Sequence, residues 1–525
     1  MRNIVKKFQK PIAIFIIIAI AIFGSFLIHY ATIWGAWAFS DSAAYISAAR
    51  NFSDGFGFVI SSPDENYEPL EYHPPFYPFL LSFVTSFGIG FIEGARWIDI
   101  ILFGLLISSI GISILYLTQY CLIAITSSLL IAVSPALINS FTGAMSEPLF
   151  IFLLYLSLLT FLFFLNKKSS VFLITSAIFT SCASLTRYVG IAIALAITLL
   201  ILIYVERNKW LNLFLFNLTA NLPVGLWFLH TFDTSNTAGG RNLQLSENFI
   251  NKVKEFLQNI FNAIKSWIPY IHYQNEFISE KTKAVLALSL FCLLIGLVLV
   301  WRRKIGIAKD TTKPAFLLLE CCSLFIIFFL LFLLTTFLMT TPKIDIHERM
   351  LSPLWPAFSI VLCTSIFLFC TSINNKFKEV ISLTFTILLL ITTRYYFLTS
   401  KVSIENFHKE GFGHSARVFH ESELISEILN LPEEQPLISN NPGLVLLYTN
   451  RMPYLLEEIY GRPFGVINIG LESILRNEHA ALILEFPSLR NIYIDDFEER
   501  IDFFTKELET HFIDDIGGIY FFPNN

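Results

Sequence analysis

Ser40-Asp41-Ser42-Ala43-Ala44-Tyr45 follows directly on the first long apolar segment, residues 11–30, and His73-Pro74-Pro75 comes later in the same polar stretch. The apolar segment is long enough to cross a bilayer as a helix. A carboxylate just outside such a helix, with a second polar cluster in the same loop, is costly unless it has a task. The stretch therefore predicts chemistry at the membrane surface on a lipid-borne substrate.

Outward from that point, the 525-residue chain is 54% hydrophobic and only 15% charged. Its mean hydropathy is +0.63, whereas a soluble domain carries about 25% charge. Apolar segments recur at 11–30, 97–118, 121–139, 148–165, 171–186, 188–205, 211–229, 284–300, 315–339, 353–371 and 379–398. This predicts a polytopic α-helical membrane protein of about eleven spans. A net charge of −5 with no basic block excludes nucleic acid as a partner. The seven cysteines lie in apolar segments without a Cys-x-x-Cys pair, which gives neither a metal motif nor a disulfide framework.

Segment 76–92 is also apolar, and the positive-inside rule decides whether it crosses. Positive clusters occur at Arg2/Lys6/Lys7/Lys10, Lys167/Lys168, Arg207/Lys209, Arg302/Arg303/Lys304 and Lys376/Lys378. All five share one side only if 76–92 does not cross. It is expected to be a re-entrant or interfacial helix, with Pro74, Pro75 and Pro78 breaking its start. Segment 11–30 exceeds the usual ~7–15 apolar residues of a cleaved signal, so a retained anchor is expected. The N-terminus is then cytoplasmic. Loops 31–96, 230–283 and 340–352, the turn 140–147 and the tail 399–525 are extracytoplasmic. The division expected is a membrane catalytic part, 1–398, and a small α/β domain, 399–525. In the tail, strands are predicted near 436–439, 481–486, 491–495 and 518–522, and helices near 419–430, 442–449 and 497–509.

Under this topology the unusual polar residues gather on one face: Asp41, His73, Glu147, Arg187, Asp345, His347, Glu348 and Arg349. Arginine binds phosphate bidentately and keeps its charge. A carboxylate can take a proton from an attacking hydroxyl. Together they suit transfer of a group away from a membrane-anchored phosphate, with the arginines stabilising the leaving group. Plainer roles exist for each residue. Asp41 and Glu147 stand where helices begin and could cap them, and Pro148 is a good first-turn residue. Arg187 and Arg349 could snorkel to headgroups. Tyr45, one turn beyond Asp41, could be packing, and Arg241 in Gly239-Gly240-Arg241 could be an ordinary loop residue or a phosphate contact. A transporter would need ionisable groups deep in the spans, where few occur.

These residues resemble those of the GT-C integral-membrane glycosyltransferases, of the protein O-mannosyltransferase and aminoarabinose transferase kind. The similarity runs through Asp41-Ser42-Ala43-Ala44-Tyr45, Ala48-Ala49-Arg50-Asn51, His73-Pro74-Pro75-Phe76-Tyr77, Ser146-Glu147-Pro148-Leu149-Phe150 and Leu185-Thr186-Arg187-Tyr188. It continues in Glu348-Arg349-Met350-Leu351-Ser352-Pro353-Leu354-Trp355-Pro356, and in the tail in Ile438-Ser439-Asn440-Asn441-Pro442 and Tyr448-Thr449-Asn450-Arg451-Met452-Pro453. The resemblance implies a polyprenyl-phosphate-linked sugar donor, inverting transfer to an extracytoplasmic hydroxyl on a glycan, lipid or protein, and Asp41 as general base. Many relatives carry Asp-Glu where this chain has Asp41-Ser42, which leaves Glu147 as the second carboxylate. His73, Tyr45, Arg187, His347, Glu348, Arg349 and Arg241 become candidate substrate contacts. A divalent cation, Mg²⁺ or Mn²⁺, is a possible companion of the carboxylates. The competing expectations are an oligosaccharide polymerase or ligase with a lipid diphosphate donor, a lipid-linked-sugar transporter, and a non-catalytic assembly subunit.

Overall fold

The computed structural model describes residues 2–63, 67–235, 242–243, 249–264, 267, 313–341, 344–372, 375–456, 473, 476 and 479–523. Ten of the eleven predicted apolar segments are helical, and 284–300 lies outside the described residues. Six of the described helices are long and apolar enough to cross a membrane. A seventh span results if Cys121–Ala132 and Pro135–Phe141, bent by 57° at their break, count as one. The chain is a polytopic α-helical membrane protein with a small sheet near its C-terminus.

Segment 76–92 gives only the ten-residue helix α3 (Phe76–Thr85). Ten residues rise about 15 Å, half a hydrocarbon core. That is too short for the segment to cross as one helix.

Small residues set the closest helix approaches. Helices α1 (Arg2–Ala31) and α4 (Phe91–Thr118) meet where Gly104 stands against Ser25, and a β-carbon there would lie 2.4 Å from the Ser25 hydroxyl. Ser25 donates to the Ile100 carbonyl at 2.9 Å. In a bilayer, such close contacts replace the hydrophobic drive that holds helices together in water. Helices α7 (Glu147–Lys167) and α8 (Ser170–Thr186) are joined by a buried hydroxyl cluster in which Ser157 and Thr180 approach to 2.6 Å. Lys168, at φ 54°, caps α7 in the left-handed region, so the turn is tight and the two helices run side by side.

Strands β1 (Val59–Ser61) and β2 (Tyr67–Pro69), and β3 (Asn242–Leu243) and β4 (Thr340–Thr341), form two antiparallel pairs, and the C-terminal sheet has five further strands in the spatial order 454–455, 437–439, 481–485, 517–521 and 509–513. Strands β5 (Leu437–Ser439), β6 (Tyr454–Leu455) and β7 (Ala481–Glu485) are parallel, whereas β9 (Gly517–Phe521) and β8 (Glu509–Ile513) add antiparallel. Strands β5, β7 and β9 stand where strands were predicted. The predicted strand 491–495 is corrected. Phe486–Ile492 is a helix, begun by the Glu485 carboxylate accepting from the Ser488 amide with Pro487 in its first turn. Ile494 beyond it is 81% exposed and serves no sheet.

The helix Pro442–Thr449 packs on α2 (Ser40–Ser53), and Asn450 donates to the Asn51 side-chain oxygen at 3.0 Å. The C-terminal region thus rests on the helix that carries Asp41.

Candidate active site

Asp41 is the second residue of α2, so the approach to that helix sets its place. Residues 34–39 run between two supports. On one side the Trp37 amide donates to the Thr142 carbonyl at 3.0 Å, and Ala144 donates back to Trp37 at 2.8 Å. Only glycine fits opposite the Trp37 ring, because a β-carbon on Gly143 would lie 2.2 Å from it. On the other side the His414 amide donates to the Ala38 carbonyl at 2.8 Å. Gly413, at φ +62°, lets the chains pass there, since its β-carbon would stand 2.3 Å from that same carbonyl. The first support leads directly into Ser146 and Glu147, and this brings the two candidate carboxylates together.

Arg349 joins them. Its Nη2 lies 3.0 Å from Asp41 Oδ2, and its Nε lies 3.1 Å from Glu147 Oε1. Arg187 Nη1 is 2.9 Å from the same Glu147 oxygen and 3.2 Å from the Ser146 hydroxyl, which also meets Tyr45 Oη at 2.9 Å. His73 Nε2 is 4.0 Å from Asp41 Oδ1, and its ring lies against Tyr45 with centroids 4.5 Å apart. Asp41 and Arg349 are 308 residues apart in sequence. The result is a compact cluster of two carboxylates, two guanidiniums, an imidazole and a phenol.

The two carboxylates differ in access. Asp41's side chain is 44% exposed, whereas Glu147's is 0%. Asp41 can meet a reagent, and Glu147 is a buried counter-ion for the arginines. Burial works against the charge of Asp41. The opposing pulls of His73 and of Arg349, with its hydrogen bond, outweigh that, and Arg187 adds to them; the carboxyl is held below its ordinary 3.8. His73 goes the other way. Burial lowers its imidazole below 6.5 despite the nearby Asp41, so it is neutral at neutral pH.

Both shifts weaken the fold as pH falls. Below about 6.5 the unfolded His73 takes up a proton that the folded one refuses. Below about 3.8 the unfolded Asp41 does the same, and its stabilising contribution disappears as pH drops through the folded value. The melting temperature in detergent is expected to decline between about pH 7 and about pH 5, and His73→Gln to make that decline shallower. Parallel curves for variant and wild type would contradict the assignment.

The other predicted residues fall into place unevenly. Glu348 opens the short helix Glu348–Leu351, and His347 precedes it as an exposed N-cap without a side-chain capping bond. His347 is in electrostatic reach of Arg349, Glu147 and Arg187. Asp345 is exposed. Arg241 lies outside the described residues. Sequence reasoning missed Ser146, which ties Tyr45 to Arg187, and Asp99, a fully buried carboxylate in α4 in electrostatic reach of Glu147. An ionisable residue inside a span was the signal for Asp99. Ser146 gave none.

A divalent cation does not fit this arrangement. The Arg349 guanidinium, not an open space, stands between Asp41 and Glu147, and among the described residues no group of three or more His, Cys, Asp or Glu could hold a metal.

No family model matches the sequence, and no curated protein matches it. Solved structures do match. ArnT from Cupriavidus metallidurans, an aminoarabinose transferase, bound to undecaprenyl phosphate, superposes with a TM-score of 0.56 at 12% identity, over 96% of this chain and 97% of that one. Its apo state gives 0.54 at 12% identity, over 94% and 95%. The Archaeoglobus fulgidus oligosaccharyltransferase, in complex with Zn and sulfate, gives 0.50 at 12% identity, over 95% of this chain and 72% of that one. Both proteins are GT-C superfamily members. Over nearly its whole length, the chain shares the fold of these two proteins.

Proposed function

We propose that this protein is a membrane glycosyltransferase that moves a sugar, a hexose or a pentose, from a polyprenyl phosphate to a hydroxyl on an extracytoplasmic glycan, lipid or protein. The reading rests on one observation above all: Arg349 bridges an accessible Asp41 and a buried Glu147 where the spans end. Asp41 takes the acceptor hydroxyl's proton. The freed oxygen pair forms the new bond to C1 as the C1–O bond to phosphate breaks, and the phosphate leaves with those electrons. A single displacement inverts the anomeric carbon. Arg349 and Arg187, each partly exposed, receive the growing negative charge, and His73 contacts the phosphate. Glu147 keeps the arginines in place when the donor is absent. The lipid tail lies among the apolar helices beside the site, in contact with membrane lipids. In this reading the N-terminus is cytoplasmic. Residues 1–398 form the catalytic membrane part, and 399–525 form a domain on the extracytoplasmic side.

The test offers purified protein in native lipid a panel of undecaprenyl monophosphate- and diphosphate-linked hexoses and pentoses. Transfer from a monophosphate donor, with release of undecaprenyl phosphate, is expected. Transfer from diphosphates alone would turn the assignment to a polymerase or ligase. Passage of intact donor across sealed vesicles without bond cleavage would turn it to a transporter.

A further inference from the structure

Resting on the reading of Asp41 as base, we propose that His414 is a positioning residue for Asp41, through which the C-terminal region governs catalysis. His414 is 7% exposed, and its Nε2 has no hydrogen-bond partner among the described residues. Its backbone is fixed at both ends: the amide donates to Ala38, and the carbonyl accepts from the Tyr448 hydroxyl at 2.9 Å. Tyr448 belongs to the helix Pro442–Thr449, so the imidazole is set by the C-terminal region and the loop before Asp41 together. The ring lies edge-on to Phe39, the N-cap of α2, with centroids 5.8 Å apart.

The joint has no spare room. A β-carbon on Gly443 would stand 3.0 Å from His414 Nε2 and 3.2 Å from both Cα and Oγ of Ser40. His414, Gly443 and Ser40 thus share one packed contact, and the next residue is Asp41. The Phe39 side chain offers no capping bond, and the start of α2 is held by the Ser42 hydroxyl accepting from the Phe39 amide at 3.2 Å and by packing from behind, so His414 acts with that bond and with Arg349 in setting where Asp41 stands. Burial pushes the His414 imidazole down to about 4. The wedge is therefore uncharged at neutral pH, which suits its place beside the positive end of a helix dipole. None of the contacts named here between His414, Gly443 and their neighbours is made by Arg187 or Arg349, which separates positioning of the base from binding of the phosphate.

That separation supplies the test. His414→Ala, Gly443→Ala, the double variant and His414→Gln are compared with wild type in native membranes. Turnover is followed as undecaprenyl phosphate release from the active donor of the panel, and binding is followed with undecaprenyl phosphate alone. Displacing a reacting group by about 1 Å costs on the order of 10²-fold in rate. His414→Ala is expected to lower kcat by about that factor while undecaprenyl phosphate affinity stays within about twofold. Gly443→Ala is expected to do the same by crowding the wedge. The double variant is expected to be no worse than His414→Ala, because the added methyl enters vacated space. His414→Gln, neutral and of similar reach, is expected to restore part of the rate.

Wild-type kcat in His414→Ala, equal losses of kcat and undecaprenyl phosphate affinity, or effects that multiply in the double variant would each overturn the proposal. If His414→Ala does not fold, Gly443→Ala decides alone by the same split. Asp41→Asn serves as the parallel arm. An active Asp41→Asn removes the base assignment itself, whereas an inactive one beside an unaffected His414→Ala removes only the inference about His414.

Discussion

Asp41→Asn is expected to abolish sugar transfer while leaving the protein folded and able to bind undecaprenyl phosphate. Asparagine keeps the size and shape of aspartate and is compatible with the first turn of a helix. It cannot accept the acceptor's proton at any working pH. Removal of a general base costs typically about 10²–10⁴-fold in rate, and a loss in that range is expected here. The structural cost is small by comparison. Asp41 is 44% exposed and its partner Arg349 is 26% exposed, and pairs in such surroundings contribute about 1 kcal/mol or less. Arg349 also keeps Glu147 as a partner at 3.1 Å. The melting temperature should therefore move little, and undecaprenyl phosphate binding should hold or tighten because one competing anion is gone. Transfer within about tenfold of wild type would remove Asp41 from the role of base.

That a carboxylate and an arginine so far apart in the chain would meet was legible because both stand just outside apolar segments on the same predicted side. Charge asymmetry between loops and helix length act over the whole membrane part, so they leave strong marks on a sequence. Segment 76–92 shows the same logic: prolines and charge placement opposed a crossing, and only α3 forms there. Contacts that depend on exact approach left weaker marks. Ser146 looks like any small residue at a helix start, yet its hydroxyl lies between Tyr45 and Arg187. Asp99 did leave a mark, as an ionisable residue within the apolar segment 97–118. His414 and Gly443 lie in a polar tail whose docking on α2 depends on tertiary packing, which periodicity cannot convey. The false strand at 491–495 has a local cause. Ile492, Tyr493 and Ile494 favour extended structure, but Glu485 and Pro487 start a helix just before them. Strand β8, largely exposed at the sheet edge, carried too few buried residues to show the expected alternation.

Glu147→Gln should separate the two tasks of the arginine pair. Glu147 is wholly buried and is the common partner of Arg187 at 2.9 Å and Arg349 at 3.1 Å. Glutamine preserves the shape and removes the charge, which leaves Arg187 without its close carboxylate partner and Arg349 with the half-exposed Asp41. Removing one partner of a buried ion pair costs about 3–5 kcal/mol, and partial exposure of both arginines, at 21% and 26%, puts the expected loss at the lower end. The unliganded variant should melt several degrees below wild type. A phosphate occupying the arginines supplies the missing anion, so undecaprenyl phosphate should raise the variant's melting temperature more than it raises that of wild type. Turnover should fall even at saturating donor, because the guanidiniums no longer have Glu147 to orient them toward the departing oxygen. Thermal melts with and without undecaprenyl phosphate, run on both proteins at equal lipid, measure the difference directly. An equal shift in the two would mean that the phosphate does not lie against Arg187 and Arg349, and the donor site would have to be sought elsewhere along the outer ends of the helices.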